Sequence, residues 1–434
     1  MKRLTGIAAI LSLAGGTAHA APPAVDSGNT AWLLICAALV MLMTPGLAFF
    51  YAGMVHRKNV VSTLLQNFAS LAIVGLLWMM LGYSLAFSEG SGLIGSAKHL
   101  FFGGLELQTY GGTGIPMVAF ALFQMMFAII APALISGAFA ERVPFGPWMT
   151  LMALWSLAVY APVAHWVWGP GGWIEEMGAI DFAGGLVVHI TAGFSGLVAA
   201  LLYGRRTGAE QACPNNIPMV MLGAALLFFG WFGFNAGSAL TAGALASHAF
   251  ATTFAGAASG FAGWMAVDWV KTQRPSAVGA MMGLVVGLVA VTPAAGFVRI
   301  EHAMLLCAAS AVICNLFTRL FKRADLLDDA LDVFSCHGVG AVCGGLFTGL
   351  FATKAVNPGL ENEGWLMGGG HALFTANLLS TLAVAGYAMA ATWILIKAIS
   401  FVTPIRVNPY EEFKGLDEAL HGEQATIVMH DGRK

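Results

Sequence analysis

Two histidines stand inside apolar, glycine-rich stretches, where a polar ring is costly to leave unpaired. His189 closes the run Asp181-Phe182-Ala183-Gly184-Gly185-Leu186-Val187-Val188-His189, and the apolar stretch continues to about Leu202. His337 lies in Asp332-Val333-Phe334-Ser335-Cys336-His337-Gly338-Val339-Gly340: again an acid, a short apolar stretch, an imidazole and then glycines. A neutral imidazole carries one N–H donor and one bare acceptor nitrogen. Two of them can bond to each other and still present a group to a small polar solute. The plain alternative ties each ring to backbone inside a helix bundle, and the matching places of the two rings weigh against it. Metal ligation needs a third ligand at helical spacing; none accompanies either ring, so no metal and no cofactor is expected.

Aromatic residues supply a second kind of chemistry. Phe123, Phe127, Trp166, Trp168, Trp231 and Phe234 fall near expected helix ends or in the same segments. Interfacial belts account for most tryptophans so placed. Ring faces also attract a partly dehydrated cation without any fixed charge. In Trp231-Phe232-Gly233-Phe234-Asn235-Ala236-Gly237-Ser238, small residues let helices approach closely, and Asn235 and Ser238 set polar groups at a helix end. Asp181 reads as a helix cap with a secondary pull on cations, and as the only carboxylate near that mouth.

The elements that must hold these groups are membrane helices. Of 434 residues, 58% are hydrophobic and only 10% charged, too little charge for the surface of a soluble protein of this size. Apolar segments fall at roughly 31–55, 61–87, 115–139, 146–168, 182–203, 217–238, 249–270, 276–297, 302–321, 337–353 and 371–400. That predicts an all-α polytopic membrane protein with eleven transmembrane helices: two five-helix inverted repeats plus a final helix. Inverted repeats place a pathway at their interface near the midplane, and the two Asp…His segments would be the fifth helix of each. Acid and imidazole are eight residues apart in one and five in the other.

The chain ends read differently. Lys2-Arg3, an apolar run from Leu4 to Leu13 and Ala18-His19-Ala20 predict a cleavable signal peptide over 1–20, which leaves the new N-terminus outside. The transporter domain then covers 21–402, and the polar segment 403–434 is a cytoplasmic tail. Basic residues agree with this orientation. Arg57, Lys58, Arg142, Arg205, Arg206, Lys271, Arg274, Arg319, Lys322 and Arg323 sit in loops predicted inside, against Lys98, Arg299 and Lys354 outside. The glycine-rich stretch 88–114 is expected to form an ordered cap. Six cysteines without a CxxC pair read as packing residues, and a net charge of −2 points to no nucleic acid.

Longer motifs complete the pattern: Thr44-Pro45-Gly46-Leu47-Ala48-Phe49-Phe50-Tyr51-Ala52-Gly53, Arg57-Lys58-Asn59-Val60, Gly82-Tyr83-Ser84-Leu85-Ala86-Phe87, Gly137-Ala138-Phe139-Ala140-Glu141-Arg142 and Val291-Thr292-Pro293-Ala294. With the two histidine segments and Gly230 through Ser238, they cover nearly everything after the signal. The chain resembles the ammonium transporters of the Amt/Mep/Rh superfamily, and among them the bacterial Amt type.

The resemblance implies a transporter or ammonia channel serving nitrogen uptake, not an enzyme, in the bacterial inner membrane among its lipids. It implies an external ammonium site at Phe127, Trp168 and Ser238, and a pore gate of Phe127 and Phe234. It implies twin pore histidines at His189 and His337, a helix-start aspartate at Asp181, and a homotrimer with one pore per subunit. The tail resembles a regulatory segment through Gly415-Leu416-Asp417 and His421-Gly422-Glu423, and implies a PII-type signal protein at the cytoplasmic face; Lys414 stands where the usual residue is acidic. Two other classes differ in what they require. An ion-coupled amino-acid transporter needs broken helices and more polar groups at the midplane. An ammonium sensor carries an appended signalling domain, for which the tail is short.

Overall fold

The computed structural model describes residues 24–211, 213–324 and 327–425, so the expected signal peptide lies outside the described residues. Among the described residues, nine helices are long and apolar enough to cross a membrane. They begin with Ser27–Met54 and end with Ala372–Ser400. Two further helices fall where the sequence places spans. Ala244–Thr272 is long but carries more small and polar residues, and Ala277–Val291 has 15 residues. Starts follow local chemistry: Asp26, Asn216 and Ser276 each accept a backbone N–H from the first turn of the helix they precede.

The two histidine helices, Gly185–Tyr203 and Phe334–Phe351, cross at glycines. A Cβ on Gly193 would meet the backbone of Gly338, so small residues here set the backbone separation and, through it, the distance between the imidazoles. Each helix opens with a wide π turn, over Gly185–Ile190 and Phe334–Val339. Such turns leave backbone groups outside the regular ladder and are frequent at functional sites.

The stretch between Phe87 and Met117 is an ordered cap. It holds two small hairpins, Gly90–Ser91 with Ile94–Gly95 and Thr109–Tyr110 with Ile115–Pro116. Buried His165 ties it down, its Nδ1 lying 2.9 Å from the Ala86 carbonyl and its Nε2 2.7 Å from that of Ser91.

At the opposite end the tail folds back onto the bundle. Asn408 starts a short helix, Pro409–Lys414, through a capping box with Glu411. Asp417 then accepts the Val61 and Ser62 N–H groups at 3.0 and 2.8 Å, capping the helix Val60–Leu77 from a distant part of the chain. Leu416 N–H donates to Asn59 Oδ1 at 2.8 Å, and Lys58 Nζ donates to the Glu412 and Phe413 carbonyls. Lys414 does not face that contact; it pairs with Glu418 at 3.0 Å. Four cysteines, Cys36, Cys307, Cys314 and Cys336, are buried packing residues; Cys213 is exposed and Cys343 half-buried.

Candidate functional site

The backbone before the first histidine helix decides where its ring goes. Asp181 spends both carboxylate oxygens on four N–H groups: Gly184 and Gly185 on Oδ1 at 2.9 and 2.7 Å, Leu186 and Val187 on Oδ2 at 2.7 and 3.3 Å. Gly184 sits at φ 118°, a conformation open to glycine and strained for other residues, and so turns the chain into the helix. The second histidine helix is started the same way, but by a residue the sequence comparison passes over. Asp329, eight residues before His337 as Asp181 is before His189, accepts the Val333 and Phe334 N–H groups at 3.0 and 2.7 Å. The sequence pattern matches Asp332, rather than Asp329, to Asp181. Asp332 instead takes the place of Gly184, at φ 58°, and pairs with Lys322 at 2.7 Å.

Held this way, the two rings meet. His189 and His337 are both buried, their Nδ1 atoms 3.3 Å apart and their planes 24° from parallel. Among the described residues, His189 Nε2 has no hydrogen-bond partner, and it is buried. Around the pair lies a cavity of about 10 Å³, walled by Met43, Leu47, Ile130, Leu227, Trp231 and Val285 among others. A volume of that order holds roughly one water-sized molecule. Trp231 stacks 5.4 Å from His189 and is anchored by its Nε1–H to Thr292 Oγ1 at 2.9 Å.

Phe234 also stacks near His189, at 5.9 Å, and touches Phe127, their centroids 4.2 Å apart. These two buried rings separate the histidine cavity from a larger one of about 330 Å³, which Phe127, Trp168 and Ser238 all line. Trp168 stands edge-on to Phe127 at 6.2 Å, and its Nε1–H donates to the Asp181 carbonyl at 2.9 Å. Ser238 Oγ–H donates to the Phe234 carbonyl at 2.9 Å. The residues expected to form an outer site, a gate and a paired-imidazole centre are therefore neighbours of one another.

Others fall elsewhere. Asn235 donates to Thr253 Oγ1 at 3.0 Å and acts as a structural bond. Trp166 donates to the Leu93 carbonyl of the cap, and Phe123 packs on Phe127. Two further residues line the larger cavity. Gln124 is buried one turn before Phe127, and its Oε1 has no partner among the described residues. Glu175 adds a second carboxylate beside Asp181, so Asp181 is not alone at that mouth. A polar residue inside an apolar run could have flagged Gln124; nothing in the sequence separates Glu175 from Glu176.

With this geometry in hand, known proteins identify the chain. The Ammonium Transporter Family pattern matches residues 31–426. The chain belongs to the ammonium transporter family. A putative ammonium transporter of Methanothermobacter thermautotrophicus is 46% identical over 92% of this chain and 98% of its own length. An ammonium transporter of Bacillus subtilis is 44% identical over 92% and 99%. The crystal structure of Saccharomyces cerevisiae Mep2 superposes with a TM-score of 0.81 at 34% identity, covering 89% of each chain. The family is one of transporters, not enzymes, and this member is a multi-pass membrane protein.

Proposed function

We propose that the protein recruits ammonium at Phe127, Trp168 and Ser238, releases its proton either back to the outer solvent or onto the histidine pair for co-transfer, and conducts ammonia past the Phe127–Phe234 gate and the His189–His337 pair to be reprotonated inside. The observation that carries this reading is the imidazole pair, 3.3 Å apart in a cavity sized for roughly one water. Moving a bare charge through so apolar a space is very costly. A neutral molecule with a lone pair and three N–H bonds avoids that cost and finds partners on the way. In the Nδ1–H···Nδ1 bond one ring donates and the other accepts. One Nε2 then carries hydrogen and the other is bare, so the pair offers one donor and one acceptor to a passing ammonia. Potassium, close to ammonium in size, has no proton to lose and is excluded by chemistry as well as by space.

In this reading eleven helices span the inner membrane of a bacterium as two inverted five-helix repeats plus one. The mature N-terminus, left by cleavage after Ala20, lies outside, and the tail is cytoplasmic and regulatory. The positive-inside pattern and the repeated Asp-to-His interval support it. The chain works as a homotrimer, and its docked tail is the surface a PII-type protein would meet.

Proteoliposomes containing the purified protein test the reading under an ammonium gradient, with internal pH and current followed together. Ammonium-dependent changes well above those of empty liposomes, with no response to potassium, are expected. Equal rates with and without protein would overturn it.

A further inference from the structure

The outer cavity holds two carboxylates that are in opposite situations. Both oxygens of Asp181 are consumed by four backbone N–H groups, which neutralise much of its pull on a cation. Glu175 is exposed on the same cavity wall, in the short turn Trp173–Glu176. Among the described residues its carboxylate has no hydrogen bond or ion pair. Its neighbour Glu176 is not part of the lining. Among the described residues no lysine, arginine or histidine lines the cavity, and of the cations in the outer loops Lys98 pairs with Glu89 and Arg299 with Glu301.

We infer that Glu175 is a cation-concentrating residue of this outer cavity, setting how much ammonium reaches the ring faces of Phe127 and Trp168. The inference rests on the reading given under Proposed function. Its physical basis is field focusing: a cleft with low-dielectric walls and one sign of charge raises the local concentration of the opposite ion. The walls here are largely aromatic and aliphatic, with Phe87, Tyr110, Phe120, Val167 and Phe297 among them. Glu175 acts on capture alone. It stands outside the gate, and selection against potassium belongs to the histidines beyond it. Any monovalent cation is gathered by the same field, so Glu175 governs the concentration at half-saturation and leaves selectivity untouched.

The test is ammonium uptake into proteoliposomes as a function of concentration, at low and at high salt. Wild type is compared with Glu175→Gln, Glu175→Lys and Glu176→Gln. Glu175→Gln should raise the half-saturating concentration about 2- to 5-fold at low ionic strength, the scale of one carboxylate acting over several ångströms near a surface. The maximal rate should not change. Glu175→Lys should go further, and Glu176→Gln should match wild type. The differences should close at about 1 M salt, where the screening length is only about 3 Å. Equal half-saturation for Glu175→Gln and wild type at low salt would overturn the inference while leaving ammonium transport standing. An equal shift in Glu176→Gln would overturn it too, by making general surface charge the cause. Wild-type liposomes no faster than empty ones would instead sink the transport reading, and this inference with it.

Discussion

Asp181 and Asp329 do the same work at the starts of two helices. Each lies eight residues before an imidazole, each takes backbone N–H groups of the following turn, and the 148 residues between them equal the separation of His189 and His337. A carboxylate at a helix start fixes the turn that aims the histidine. The equality makes the two imidazoles products of one repeated local structure.

The two aspartates differ in their surroundings, and this gives a pH prediction. Burial first, then the neighbouring charge of Asp332, pushes Asp329 up to about 7, against the pull of the Phe334 and Val333 N–H groups and Lys322. Its folded value therefore lies above the unfolded one near 4. The folded chain keeps a proton that the unfolded chain has released. The associated stability is complete below about pH 4, falls as pH climbs through about 7, and is flat beyond. Asp329→Asn lacks this slope. Thermal midpoints of wild type should drop relative to the variant between about pH 5 and pH 7.5, and parallel curves would count against the assignment.

The sequence shows one half of this equivalence and hides the other. The two histidines stand out as polar rings inside long apolar runs, whereas Phe127, Phe234, Trp168 and Ser238 are singled out only by the family resemblance, because aromatic residues so placed read first as an interfacial belt. The second capping acid does not stand out. Asp328, Asp329 and Asp332 lie close together, and only the φ of 58° at Asp332 shows which one turns the chain and which one caps it. The helices Ala244–Thr272 and Ala277–Val291 are less distinct than their neighbours because one is rich in small polar residues and the other is short. Docking of the tail depends on bonds between residues more than 350 positions apart, which no local pattern announces.

Trp168 should matter at the outer site more than at the gate. Its ring lines the large cavity and stands 6.2 Å from Phe127. Trp168→Leu removes a ring face worth about 0.5–2 kcal/mol to a cation, which is roughly a 2- to 30-fold rise in half-saturating ammonium. Trp168→Phe keeps a ring but loses the bond to the Asp181 carbonyl, and should fall between. Concentration curves for the three proteins decide it; coincident curves would return Trp168 to the interfacial belt.

Asp417 should hold the tail. Its two backbone contacts cap a helix from 355 residues away, and such caps are worth about 1–2 kcal/mol. Asp417→Ala should free the tail several-fold more often and speed tryptic cleavage after Lys414 in the folded protein. Lys58→Ala, which loses the bonds to the Glu412 and Phe413 carbonyls, should act in the same direction. Mass spectrometry of a digestion time course reads both, and unchanged cleavage would mean that other contacts hold the segment.

The histidine pair carries the sharpest expectation. If His189 and His337 let nitrogen cross without its charge, an acid at either place changes what is transported as well as how much. An ionised carboxylate at that depth attracts whole cations, so His189→Asp or His337→Glu should begin to pass potassium, which the proposed mechanism excludes in wild type. Desolvation favours the protonated acid, so the leak should grow as pH rises. Purely structural histidines give a different outcome. Breaking the 3.3 Å contact would then cost folding or flux without creating a new substrate. Potassium and ammonium fluxes, measured side by side on variants that are well expressed and assembled like wild type, separate the two. If neither acidic variant admits potassium at any pH tested, these rings do not set selectivity, and the gate of Phe127 and Phe234 must.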